Sequence, residues 1–322
     1  MKKLFLFYTA FQFLVFSMDA QVLIVDRHFN FDPTNNLILI NQEVGEINTT
    51  FPGLKTTILA EGLEFTFDTP VVDIEKGIAY MVRDEQNFSH RLYFTELPII
   101  KINTNNTIVD EPRVHALLSL CESNGDLLEH DIGIEYRGGS TQSLPKKSLR
   151  IEFWNDPQGN EKENVELLGM RSDDDWNLEA LYHEPLRLRS KLCFDLWRSM
   201  DNLYYQNEEP EAINGVHHEF IELFVNGAYR GVYGLSERVD RKQLKLKKNT
   251  ETEIRGGLYK GVDWGASTFT SLPGFDNNNE FWGGFEYKYP SDIIEWTPLY
   301  DLANFIINAN NDNFHENYHY LH

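Results

Sequence analysis

The 322-residue chain sets 50 Asp and Glu against 29 Lys and Arg, a formal net charge of −21. That balance excludes a nucleic-acid partner, which needs a basic face, and argues against binding to an anionic membrane surface. Hydrophobic residues at 41% and aromatic residues at 13% suffice for a sizeable core, and the length allows one large or two medium domains.

The chain starts with Lys2 and Lys3, followed by a run from Leu4 to Phe16 that is apolar except for Thr9 and Gln12. Ser17, Met18, Asp19 and Ala20 close it. A basic start, a short apolar stretch and a terminal small residue predict a secretory signal over residues 1–20, cut after Ala20. A membrane anchor or a buried first helix is the alternative, although the run is short for a bilayer. No later stretch is long and apolar enough to span. The expectation is a secreted or cell-surface protein with no stable membrane span after signal cleavage. In such a compartment Cys121 and Cys193 could pair, or remain as buried free thiols; no CxxC pair suggests structural zinc.

Residues 21–96 read as a β-rich lead-in. VLIV (22–25), LILI (37–40), EFTF (64–67) and RLYF (91–94) are short apolar or alternating runs between turn-rich segments, as in a small sandwich or an irregular β region. A second block, 97–322, opens with strands at PIIKINT (98–104) and VHALLSLCES (114–123). DIGIEYRGG (131–139) and KKSLRIEFW (146–154) then alternate around a Gly/Ser/Pro segment, predicting a hairpin with an elaborated loop. EPLRLRSKLCFDLWRSM (184–200) places Leu188, Leu192, Leu196 and Met200 on one helical stripe, with Pro185 near its start. Asn226-Gly227 between apolar runs predicts a tight hairpin over 218–239. GGLYKG (256–261) reads as a strand end, and WTPLYDLANFIINANN (296–311) as a helix with Leu299, Leu302, Phe305 and Ile306 on one side. No tidy element is expected after it.

The chemistry concentrates in YRGGSTQSLPKKSLRIEF (136–153). Gly138 and Gly139 let backbone approach a ligand, Ser140 and Thr141 add hydroxyls, and successive N–H groups in such a turn can cradle an anion. Alternation puts Lys147 on the face of Leu149, Ile151 and Phe153, and Lys146 on the face of Ser148, Arg150 and Glu152. An ammonium aimed into a core needs an anionic partner; a phosphate and an internal carboxylate both qualify. The segment is not a P-loop. Glu237, Arg238, Asp240 and Arg241 read as a strand end with a surface ion-pair cluster, and Lys260 as a further inward-facing charge. The histidines do not organise into a metal site; His315, His319 and His322 share only a possible helix face. The Asp173–Asp175 run is a solvated turn or a cation ligand. No Gly-x-Ser-x-Gly elbow is present.

RGGSTQSLPKKSLRIEF (137–153), ELFVNGAYRGVYGLSERVDRKQL (222–244) and GGLYKG (256–261) together resemble, in wording, order and spacing, the spore coat protein H (CotH) kinase family, over roughly residues 97–310. The resemblance implies an α+β chain: the β-rich lead-in, then an atypical protein-kinase-like domain of antiparallel sheet with packed helices. It implies phosphate transfer from ATP, with Mg or another divalent cation, to Ser/Thr of a protein substrate. On that analogy Arg137, Gly138, Gly139, Ser140 and Thr141 lie near the nucleotide, Lys147 pairs with its phosphates, and Tyr233 to Glu237 resemble the hinge at the adenine, with Lys260 a further binding residue. The family's later acidic segments are not matched: no Trp-Asp-x-Asp occurs, and only NNDNFHEN (310–317) suggests a catalytic Asp312 and a metal-binding Asn317. The domain is therefore expected to be incomplete at its C-terminus. The competing reading is a non-catalytic secreted or surface module that recognises protein or carbohydrate, which Trp264, Trp282 and Trp296 would permit. A glycoside hydrolase rests only on abundant carboxylates.

Overall fold

The computed structural model describes residues 20–200, 203, 205–250, 253–263, 265, 267–270 and 272–317. The expected secretory signal, except Ala20, lies outside the described residues, as do Trp264, His319 and His322. The described chain is a β-rich α+β fold, and none of its helices is long and apolar enough to cross a membrane. It divides into two units. The first takes the described chain to Leu167, with Ser172–Tyr182 and Glu219–Leu235; the second takes Leu168–Arg171, His183–His218 and the chain from Ser236.

In the first unit, β1 (Ala20–Leu23), β2 (Phe29–Asp32), β3 (Leu37–Ile40), β4 (Lys55–Ala60), β5 (Leu63–Val71), β6 (Tyr80–Arg83) and β7 (Ser89–Phe94) form one sheet, ordered β1-β4-β5-β6-β7-β3-β2. Helix α1 (Val44–Thr50) buries Ile47 in the same core as Ile38, Ile40, Phe65, Leu92 and Phe94. Each such side chain contributes about 1.5–3 kcal/mol on burial. Strand β7 alternates as a one-faced strand should: His90, Leu92 and Phe94 are buried and Ser89 and Arg91 exposed. All four residues of β3 are buried instead. Its second face, Leu39, packs with Ile99 and Phe224 and against Tyr93 and Tyr229. A strand covered on both faces reads as a continuous apolar run, which is why LILI does not alternate.

The same unit contains most of a closed barrel built from β8 (Ile99–Asn103), β9 (Val114–Cys121), β10 (Leu127–Arg137), β11 (Ser148–Phe153), β12 (Asp175–Glu179), β13 (His218–Val225) and β14 (Ala228–Ser236), ordered β10-β11-β12-β14-β13-β8-β9. Closure removes free sheet edges, and the parallel β8–β13 pair joins distant parts of the sequence. The hairpins are as expected. Asn226 (φ 51°) and Gly227 (φ 72°) turn β13 into β14, both left-handed as the two-residue turn requires. The β10–β11 loop carries a 3-10 turn at Ser140–Ser143.

The second unit holds α2 (Arg189–Met200), α3 (Ser267–Thr270), α4 (Thr297–Asn308), α5 (Asn311–Asn317) and a small sheet of β15 (Leu258–Gly261), β16 (Phe281–Trp282) and β17 (Phe285–Tyr289), ordered β15-β17-β16. Its core gathers Trp282, Phe285, Tyr287, Trp296 and Leu299. Four expectations change here. Helix α2 starts at Arg189 rather than near Pro185, because Arg187 is left-handed (φ 56°) and the Glu184 carboxylate accepts the N–H groups of Leu186 and Arg189. Its leucine stripe is exposed: Leu188, Leu192, Leu196 and Met200 are each more than half accessible. The side of α2 that makes contact carries Phe194, 5.9 Å from the His218 ring, and Trp197, whose Nε1 donates to the Asn214 carbonyl at 2.6 Å. In α4, Leu299 is buried with Ala303, whereas Ile306 is exposed. After it the chain forms α5, where no ordered element was expected. Both cysteines are free: Cys121 is buried beside His28, and Cys193 is exposed.

Candidate functional site

Strand β11 and the lysine just before it present two faces of the barrel that are chemically opposite. Leu149 and Ile151 point inward, opposite Tyr136 and Ile134 in the register with β10. Lys147, one step before the strand, continues the inward row. Its ammonium lies 5.3 Å from the centre of the Tyr136 ring and donates to the Gln142 carbonyl. Among the described residues it has no carboxylate partner. Lys146 lies two residues before the strand and does not keep to the outer row that alternation assigns it. It reaches the Val232 carbonyl and sits 4.1 Å over the Tyr233 ring, while the Tyr233 hydroxyl donates to the Lys147 carbonyl at 3.0 Å. Together with Tyr229 and Arg230 these groups line a cavity of about 400 Å³ that has three cationic side chains and no acidic one in its lining. In a chain of net charge −21, such a concentration of cations around aromatic walls suits an anion with a planar or apolar body.

The adjoining loop is built for close approach at one glycine. Gly138 is left-handed (φ 111°), and a Cβ there would meet the Thr141 hydroxyl at 2.1 Å, so only glycine fits without displacing it. Gly139 and Ser140 are exposed, and a Cβ at Gly139 would meet nothing. Gln142 ties the loop down by donating to Asp110 at 2.7 Å and to the Gly138 carbonyl at 2.5 Å. Arg137 falls on the other row of β10, with Glu135, and not on the row of Tyr136.

On that outer row Arg113 is the hub. Its guanidinium pairs with Glu152, with Asp175 at 2.9 Å and with Glu135 at 3.3 Å. Lys162 meets Glu152 at 2.5 Å, and the Trp154 indole donates to Glu152 at 2.8 Å. Burial works against ionisation of Glu152, but the hydrogen bonds from Lys162, Arg113 and Trp154 outweigh it and hold the carboxyl below its ordinary range. Glu152, Asp174 and Asp175 are close enough to share a cation. Two of the three already share Arg113, and Lys162 takes Glu152 as well, so the cluster is neutralised from within and does not fit a divalent metal as it stands.

The remaining expected site residues belong to the second unit. Glu237 is buried, and its two oxygens accept the N–H groups of Arg171 at 3.1 Å and His217 at 3.0 Å, so it clamps three chain segments together. Lys260 does not face inward: it is largely exposed on β15 and pairs with Glu286, its register neighbour on β17, at 3.1 Å. Asp312 is exposed in the first turn of α5. The Asn317 amide donates to Asn313 within that helix at 2.7 and 3.0 Å; it also lines a cavity with Asp301 and Arg255 that Asp312 does not reach. Lys147 and the Gly138 loop are thus in one unit, and Glu237, Lys260, Asp312 and Asn317 in the other. Sequence reasoning missed Lys146 as a cavity residue, together with Arg230, Tyr136 and the hub Arg113. The Lys-Lys pair was the available signal for Lys146, and the tyrosines that follow the Asn-Gly turn for Arg230 between them.

A comparison with curated proteins gives no match. The family model described as CotH kinase protein matches residues 134–321. That span is more than half of the chain and contains the β10–β11 loop, Lys146 and Lys147, and the Asn226-Gly227 hairpin. This chain belongs to the CotH kinase family.

Proposed function

We propose that the protein is an exported, CotH-type protein kinase that holds the polyphosphate of ATP at the barrel mouth and passes the terminal phosphoryl group to Ser/Thr hydroxyls of a protein. The carrying observation is the cation-only cavity: Lys146, Lys147 and Arg230 converge without an acid in the lining, and Lys147 has no carboxylate partner among the described residues. Phosphoryl transfer is governed by positioning and charge stabilisation. Lys147 would contact phosphate oxygens with its ammonium, Arg230 would add a fork of donors, and Tyr233 would hold Lys146 and the Lys147 backbone in place. Gly138 would let the loop close on the phosphates. The family implies a divalent cation, which would neutralise phosphate charge when bound. The Glu152–Asp174–Asp175 cluster is not assigned to it, because Arg113 and Lys162 occupy that place. Asp312 and Asn317 stay as proposed catalytic and metal-binding residues on the family pattern alone.

The test is transfer of label from γ-labelled ATP to a dephosphorylated, serine-rich acceptor protein with Mg or Mn present. Labelled phosphoserine or phosphothreonine that disappears in Lys147→Met is the expected result. Nucleotide binding without any transfer would instead favour the non-catalytic reading, which the internally neutralised acidic cluster supports. Absence of both would overturn the proposal.

A further inference from the structure

A second cavity of the first unit lies outside the family match for most of its lining. It measures about 590 Å³ and is bounded by the outward face of β3 and β7 and by Glu222 and Tyr229 of the β13–β14 hairpin. The register places Leu37 opposite Arg91 and Leu39 opposite Tyr93, so two buried leucines form an apolar floor beside an arginine and a tyrosine. The volume is that of a small-molecule site.

Its charges are unequally satisfied. Lys76 and Glu96 neutralise each other at 2.5 Å on the rim. Arg91 is exposed, and among the described residues its guanidinium has no carboxylate partner. Glu222 is only 6% exposed. Its Oε2 accepts the Tyr229 hydroxyl at 2.5 Å, whereas its Oε1 accepts no donor among the described residues. Burial pushes this carboxyl up, against the hydrogen bond from Tyr229 and the charge of Lys146. Oε1 is not one of the buried polar atoms that lack a partner, so it stays open to a donor from outside. An arginine without a partner has the fork geometry for a carboxylate.

We infer that this cavity binds a small zwitterionic ligand, an amino acid or short peptide, whose ammonium meets Glu222 and whose carboxylate meets Arg91 across the Leu37–Leu39–Tyr93 floor. The charge pattern selects this class: one unanswered donor and one unanswered acceptor, with a neutralised rim and an apolar centre. Tyr229 completes the site by holding Oε2 and turning Oε1 to the ligand. The inference does not depend on nucleotide binding, since Arg91 and Glu222 are not in the lining of the cationic cavity.

The experiment is titration of the full chain, without nucleotide, against free amino acids and dipeptides, with N-acetylated and C-amidated analogues, glucose and glucuronate alongside. Saturable binding of at least one zwitterion is expected, weakened at least tenfold by blocking either end. Arg91→Gln should remove the preference for a free carboxylate while the amidated analogue binds both proteins alike; Glu222→Gln should do the same for the free amine. Arg91 is a surface residue, so that variant will fold even if Glu222→Gln does not. Binding of glucose or glucuronate in place of any zwitterion, equal affinity in Arg91→Gln, or no binding across the panel would overturn the assignment.

Discussion

The two faces of β11 form a natural experiment within one strand. On the outer face five charges answer one another: Arg113, Glu135, Glu152, Asp175 and Lys162 form a closed network. At the mouth, on the inner row, Lys147 is answered only by a carbonyl and a ring. The outer network is spent on holding strands together and has no charge left for a ligand. The mouth keeps its charge available. On the proposed function, a lysine left without an acid is a better guide to the site than acidic residues close together.

If that contrast is right, breaking the outer network costs stability, whereas breaking the mouth costs binding. The largest effect is expected from Arg113→Ala, which takes away the partner shared by three carboxylates, two of them buried, and leaves Lys162 on Glu152 and Arg150 on Glu135 to answer their charge alone. Removing one partner from a buried pair costs about 3–5 kcal/mol, read as a lower urea midpoint. Next is Gly133→Ala on the same row of β10. Its Cβ would lie 2.0 Å from the Trp154 ring, and overpacking of this kind costs about 1–3 kcal/mol; if Trp154 swings away, its indole fluorescence shifts as well.

Two buried glutamates sharpen the contrast through pH. Glu152 has a depressed folded pKa, so its contribution is present above the ordinary value of 4.5 and is lost as pH falls through the folded value. Glu222 has a raised folded pKa, so its contribution is largest below 4.5 and is lost as pH rises through the folded value. Urea midpoints measured across pH should show Glu152→Gln removing part of the acid-side loss, and Glu222→Gln removing part of the loss on the rising side. The smallest stability effect is expected from Lys147→Met, which keeps most of the apolar stem and leaves no charge unpaired: less than about 1 kcal/mol.

Much of this was legible in the residues. A continuous apolar run located β3 and period-two runs located β7, β10 and β11; Asn226-Gly227 located the second hairpin; and alternation put Lys147 on the inner row. What was not legible depends on pairing between distant segments. Barrel closure needs β8 beside β13, and the mouth needs Tyr233 of β14 beside Lys146. Arg113 lies in a loop whose role appears only when β10, β11 and β12 bring Glu135, Glu152 and Asp175 to it. Lys146 defeated the alternation rule because the extended pairing that enforces alternation begins only at Ser148, two residues on. The α2 stripe misled because helical spacing shows which residues share a face, and not whether anything covers that face.

The most direct test of the central claim is calorimetric titration of ATP and of inorganic tripolyphosphate into the protein and into Lys147→Met. Saturable binding of both is expected, weakening with salt and falling at least tenfold in the variant while the urea midpoint stays nearly unchanged. Equal affinity in the variant, or no binding to a folded wild-type protein, would contradict it.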